Sequence, residues 1–210
     1  AFKDFSECIG IGIDVSKVEL VCAGITSSNR VNTTVKNNLQ SVDRFIHQLV
    51  QSGFKGQVIC ESTGHYHLKL AICCNKYGLP ILIINPLQSS KHAKSKIRKV
   101  KSDPEDAFML AVMLLTEPNL PQPVNMSLEN ARTKLLQGQL ASLEKQLQAI
   151  KQSYRQYQET FKDLGLEQTI AQQELQQVIN ELDRVRLALC KELTGALKAQ
   201  AKPEVVIKLK

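Results

Sequence analysis

From Leu136 to Leu164 the large apolar residues fall at Leu136, Leu140, Leu143, Leu147, Ile150, Tyr154, Tyr157, Phe161 and Leu164, separated alternately by four and three positions. That spacing is a heptad seam and commits the stretch to one long helix. At about 1.5 Å per residue the seam is roughly 40 Å long, more than a small domain can cover. A chain of 210 residues with such a seam is expected to be a globular unit followed by a helical one. The seam can close within the chain, because "DLGLE" around Gly165 reads as a turn and Ile170, Leu175, Val178, Leu182, Val185, Leu189 and Leu193 form a second apolar stripe. A second copy of the chain is the competing partner.

Ahead of the seam the apolar pattern has a period of two. Strands are expected near residues 7–14, 18–26 ("VELVCAGIT") and 31–36 ("VNTTVK"), an antiparallel meander joined by short polar turns. "LQSVDRFIHQLVQS" has helical spacing through Val42, Phe45, Ile46, Leu49 and Val50 and stops at Gly53. A strand "QVICE", a helix over 66–77 closed by Gly78, and a buried strand "PILIIN" follow. The order βββαβαβ suits an α/β fold of the ribonuclease H type, a mixed sheet with flanking helices, although other folds share it. "SDPEDAFMLAVMLL" starts another helix, with Ser102 and Glu105 at capping-box spacing and Pro104 in the first turn. The expected organisation is an α/β domain over 1–118, a proline-rich linker over 119–126, an α-helical coiled-coil hairpin over 127–200, and 201–210 as a tail or the start of a further domain.

The apolar runs are too short to span a bilayer, and "AFKDFSEC" lacks the apolar core of a signal peptide. Six cysteines form no C-x-x-C pair and read as reduced thiols of a cytoplasmic protein. The net charge of +7 is uneven. Between Ser62 and Ser102 there is no acid, while Lys69, Lys76, Lys91, Lys94, Lys96, Arg98, Lys99 and Lys101 are all basic. Lys91, Lys94, Lys96, Arg98, Lys99 and Lys101 crowd one segment, which is expected to contact a polyphosphate; a solvated basic loop is the plainer alternative.

"IGIGIDV" ends a buried strand on a carboxylate, Asp14, which is costly without a positive partner. Glu61 ends the fourth strand, and Asp103 and Asp106 are three apart on one helical face. In the expected sheet the first and fourth strands are neighbours, so four acids converge from three elements. Two unit charges about 4 Å apart repel by roughly 4 kcal/mol at an effective dielectric of about 20. Two Mg²⁺ (or Mn²⁺) ions on oxygen ligands would offset that repulsion and could clamp a phosphodiester. Taken singly, Asp103 and Asp106 could merely favour a helix N-terminus and Glu61 a backbone amide. His65 and His67 invite a zinc reading, but no cysteine or third histidine stands at ligand spacing.

"GIDVSK", "ESTGHYHLKL", "INPLQSSKHAKS" and "KVKSDPEDAFMLA" together resemble the RuvC-like domain of DEDD-type insertion-sequence transposases, a family that includes the pilin-gene invertases. The resemblance covers roughly residues 7–115. It implies that Asp14, Glu61, Asp103 and Asp106 are the catalytic, metal-binding tetrad, and that the protein recombines DNA. It further implies a structured guide RNA as partner, a coiled-coil insertion, and a C-terminal domain with a nucleophilic serine; the heptad seam itself is expected to make copies of the chain associate. This chain ends at "KPEVVIKLK", ahead of such a domain, and is expected to be a fragment or truncated product. Ser16, Ser62 and Ser102 adjoin the tetrad but have turn or cap roles available. Three rivals remain. A stand-alone junction nuclease would use the same chemistry. A phosphotransferase of the actin and sugar-kinase fold would share "GIDVSKVE" but needs further glycine-rich loops. A non-catalytic nucleic-acid-binding coiled-coil protein would use the acids only as caps.

Overall fold

The structure, a computed structural model, describes residues 5–27, 29–89 and 103–201. Lys91, Lys94, Lys96, Arg98, Lys99, Lys101, the cap residue Ser102 and the tail 202–210 lie outside the described residues. The elements are β1 (Gly10–Val15), β2 (Glu19–Ile25), β3 (Arg30–Lys36), α1 (Leu39–Gln51), β4 (Gln57–Glu61), α2 (Leu68–Lys76), β5 (Ile81–Ile84), α3 (Asp103–Thr116), α4 (Leu128–Asp163) and α5 (Ile170–Gln200). They fall into two units, divided between Leu128 and Glu129.

In the first unit the five strands lie in the order β3-β2-β1-β4-β5. β2 runs antiparallel to β1 and β3, while β4 is parallel to both β1 and β5. This is the mixed sheet of a ribonuclease H-type α/β fold, with the helices on its two faces. The Gly12 face meets α3, where Ile59, Leu82 and Ile84 of the sheet pack with Leu110 and Met113. Burying each such side chain contributes about 1.5–3 kcal/mol. Ile13 points the other way, and its register partners Cys22 and Cys60 share that face. α1 buries Val42, Phe45, Ile46 and Leu49, and α2 buries Leu68, Leu70, Ala71, Cys73 and Cys74.

Helix ends follow local chemistry. Asn38 Oδ1 accepts from the Ser41 N–H at 2.8 Å and starts α1. Gly53 (φ 90°) and Gly78 (φ 67°) take the left-handed backbone that ends α1 and α2. β1 starts at Gly10 rather than near residue 7, because Phe5 turns in and packs edge-on against Phe45, with centroids 6.3 Å apart. The proline-containing stretch after α3 lies against the sheet: Val124 N–H donates to Ile81 O at 2.8 Å and Met126 is buried.

The second unit is an antiparallel hairpin of α4 and α5, turned at Gly165 (φ 66°). α5 opens with a reciprocal capping box between Thr169 and Gln172. Leu147, Tyr154 and Ile179 form its core, with Ile150 and Leu182 against them. Lys151 pairs with Asp183, and Arg186 bonds Asp183 at 3.2 Å and lies 3.9 Å from Glu144. The rotation of the helices differs from the expected stripes at two places. Tyr157 and Leu164 are exposed, because the inward position passes to Gln158, whose Nε2 donates to Tyr154 Oη at 2.6 Å. On α5, Ile170, Leu175, Val178 and Val185 are exposed while Ile179, Asp183 and Arg186 turn inward, drawn by the ion pairs. No helix among the described residues is long and apolar enough to cross a membrane.

Candidate functional site

The parallel register of β1 and β4 pairs Gly12 with Ile59 and Ile13 with Cys60. Asp14 and Glu61 each follow that last pair directly, on strands about 4.8 Å apart. Side chains two apart share a face, so Asp14 lies on the Gly12 side and Glu61 on the Ile59 side, the same face that α3 covers. Both carboxylates are half-buried at the ends of their strands.

Gly12 decides how close α3 can come. A Cβ on Gly12 would stand 2.0 Å from Ala107 O and 2.4 Å from Ala111 N, so helix backbone rests directly on strand backbone. Leu114 lies over Gly10, so α3 runs against the direction of β1 and presents its first turn at the Asp14 end. That turn carries Asp103, which is exposed, and Asp106, which is half-buried next to fully buried Ala107. From the edge strand β3 Arg30 lies 3.5 Å from the centroid of Phe108 and 3.5 Å from Glu105 Oε1, residues that flank Asp106 in the first turns of α3. The ion pair is exposed and contributes little.

Thus the backbone brings all four acids expected from the sequence to one end of one face. Their oxygen donors suit a hard divalent cation, not a soft one. As the side chains lie, no group of three or more His, Cys, Asp or Glu among the described residues forms a metal cage. Burial pushes the Cys73 thiol up to about 11 and the Cys60 thiol up to about 12, far from a thiolate at neutral pH. A groove of about 640 Å³ lies elsewhere, along α4 and α5 between Lys151, Arg155, Asp183 and Arg186.

One residue escaped the sequence reading. Asn37, 6% exposed, ties the turn after β1 to the loop after β4. In the sequence it is one of two asparagines before a helix; its neighbour Asn38 is the one that caps α1.

Sheet order and strand-end acids define an α/β domain of the ribonuclease H type. The profile of a transposase family, the DEDD-type transposases of the IS110 group, matches residues 11–162. The chain belongs to that family. A pilin gene-inverting protein of Moraxella lacunata is 32% identical over 104 residues, 48% of this chain and 32% of that protein. The match thus spans about a third of that relative's length. Among solved structures, Thermus thermophilus RuvC in complex with a Holliday junction substrate is similar at a TM-score of 0.42 and 13% identity, over 55% of this chain and 98% of the other. A further Thermus thermophilus RuvC structure is similar at a TM-score of 0.42 and 12% identity, over 55% of this chain and 99% of the other.

Proposed function

We propose that this chain carries the carboxylate half of a DNA transposase or site-specific recombinase, and that Asp14, Glu61, Asp103 and Asp106 act there on DNA phosphodiesters with Mg²⁺ or Mn²⁺. The observation that supports this most is that Asp14 and Glu61 directly follow the last register pair of the parallel strands β1 and β4, Ile13–Cys60, beneath a helix whose acidic first turn Gly12 admits. When bound, the divalent ions would supply charge stabilisation for the attacking and leaving oxygens. Asp14 and Glu61 would hold them from the sheet, and Asp103 and Asp106 from the helix.

Lys91, Lys94, Lys96, Arg98, Lys99 and Lys101 would attract the phosphate backbone by charge alone. The resemblance of the motifs extends the reading to a structured guide RNA and to a serine-bearing domain outside this chain, and the heptad seam extends it to association of copies through the helical unit. Thermal melting with chelator and with Mn²⁺ tests the core of the reading. Mn²⁺ should raise the Tm of the parent and leave Asp14→Asn where it was; a parent indifferent to metal overturns it.

A further inference from the structure

Asn37 follows β3 and is polar yet buried. Its Nδ2 donates to Ser16 O at 2.7 Å and to Tyr66 O at 3.2 Å, and its Oδ1 accepts from Lys69 Nζ at 3.5 Å. Its backbone N–H donates to Val18 O at 2.8 Å. Ser16 stands two residues after Asp14, and Tyr66 five after Glu61. A single amide therefore bridges the two loops that leave the acid-bearing strands. Buried amide donors are held in place because leaving a carbonyl unpaired costs more than the bond contributes.

The grip is passed on to the acids. On one side Ser16 N–H donates to Glu19 O at 2.9 Å and Ser16 Oγ accepts from Glu19 N–H at 3.0 Å, so the β1–β2 turn moves as one piece with Asp14. On the other, Ser62 N–H donates to Ile84 O at 2.9 Å and Tyr66 N–H to Thr63 O at 3.3 Å, which leaves the loop little slack between Glu61 and Tyr66. The last register pair of β1 and β4 is Ile13–Cys60, just short of the acids. Past that point Asn37 ties the two segments together.

We propose that Asn37 is a positioning residue that sets the separation of the Asp14 and Glu61 carboxylates, and with it their affinity for a divalent cation. This rests on the metal-dependent reading above. Groups that orient ligands without touching the ion typically change metal affinity about 10- to 100-fold when removed.

The test is an Mn²⁺ titration of the whole chain, read as the concentration giving half of the maximal Tm rise. Asn37→Leu keeps the branched shape and removes both donors. Asn37→Asp keeps the shape, removes both donors and adds a negative charge, which by charge alone would tighten cation binding. Both should raise the midpoint about tenfold. Asn38→Ala, which strips the neighbouring helix cap, should lower the metal-free Tm and leave the midpoint alone. A parental midpoint in Asn37→Leu, or a parental or lower one in Asn37→Asp, overturns the proposal; should the leucine variant not fold, the aspartate variant decides. A parent that shows no Mn²⁺ response overturns the metal reading itself, a result distinguishable from failure of Asn37 alone.

Discussion

Gly12 and Ala107 touch backbone to backbone: a methyl group on Gly12 would stand 2.0 Å from the Ala107 carbonyl oxygen. No side-chain rotation relieves that contact, so Gly12→Ala must push α3 off the sheet. We expect a loss of about 3 kcal/mol or more in urea unfolding, at the upper end for overpacking. Gly138, inside α4, has nothing within 4 Å of the corresponding position. Gly138→Ala should instead raise stability by about 0.5–1 kcal/mol through helix propensity. Equal effects of the two substitutions would contradict the packing described.

The α1–α2 surface predicts a pH dependence. Lys76 Nζ donates to Asp43 Oδ1 at 2.7 Å, and Tyr77 Oη to Oδ2 at 3.1 Å. The Lys76 bond holds the Asp43 carboxyl below its ordinary value of 3.8, against partial burial, with Tyr77 helping. A carboxyl depressed in the folded state adds stability above its unfolded value and loses it as pH falls through the lower folded one. Asp43→Asn should therefore melt below the parent near neutral pH, and the gap should close as pH drops under 3.8. A gap that persists in acid would assign the loss to shape rather than charge.

Much of this architecture was legible because it rests on local signals. Alternation set the strands, Gly53, Gly78 and Gly165 marked the turns, and strand-end acids flagged Asp14 and Glu61. Rotation of the long helices was not legible, since Val178 and Ile179 are adjacent and both apolar. Only the pairing of Lys151 and Arg186 with Asp183 chooses Ile179 as the inward residue. Asn37 was hidden for a different reason: its three partners lie 21, 29 and 32 positions away, and spacing rules do not reach that far.

The hairpin core gives a prediction of its own. Leu147 is 3% exposed between Tyr154 and Ile179. Leu147→Ala should cost about 2–5 kcal/mol, whereas Val178→Ala, on the exposed side of α5, should cost under about 0.5 kcal/mol. Helical circular dichroism during urea unfolding reads both. A large loss at Val178 would mean that this side is covered in solution, as association of copies requires.

The basic segment should reveal itself through salt. If about five of its charges neutralise phosphates, log affinity for DNA should fall with log salt at a slope of roughly −4. Replacing Lys94, Lys96, Arg98 and Lys99 by Ala should flatten the slope, measured by fluorescence anisotropy at several salt concentrations. An unchanged slope would remove this segment from the DNA interface.

Caps and metal ligands respond oppositely to neutralisation, which makes the acids the sharpest test. Asp14→Asn preserves shape and removes one of four mutually repelling charges, so without divalent ions it should melt higher, by about 1–3 kcal/mol in stability. Binding to the native state stabilises only while the site exists, so the same variant should lose the gain that Mn²⁺ confers on the parent. Glu61→Gln and Asp106→Asn should behave alike, because in the proposed site one strand neighbour and one helix residue would serve the same ion. If these residues were caps or backbone acceptors, each change would instead lower stability by about 0.5–2 kcal/mol and leave any metal response intact. Melts of the parent and the three variants, each with chelator and with Mn²⁺, separate the two patterns. Four coincident melts, none moved by metal, would show that the acids share an edge without sharing an ion.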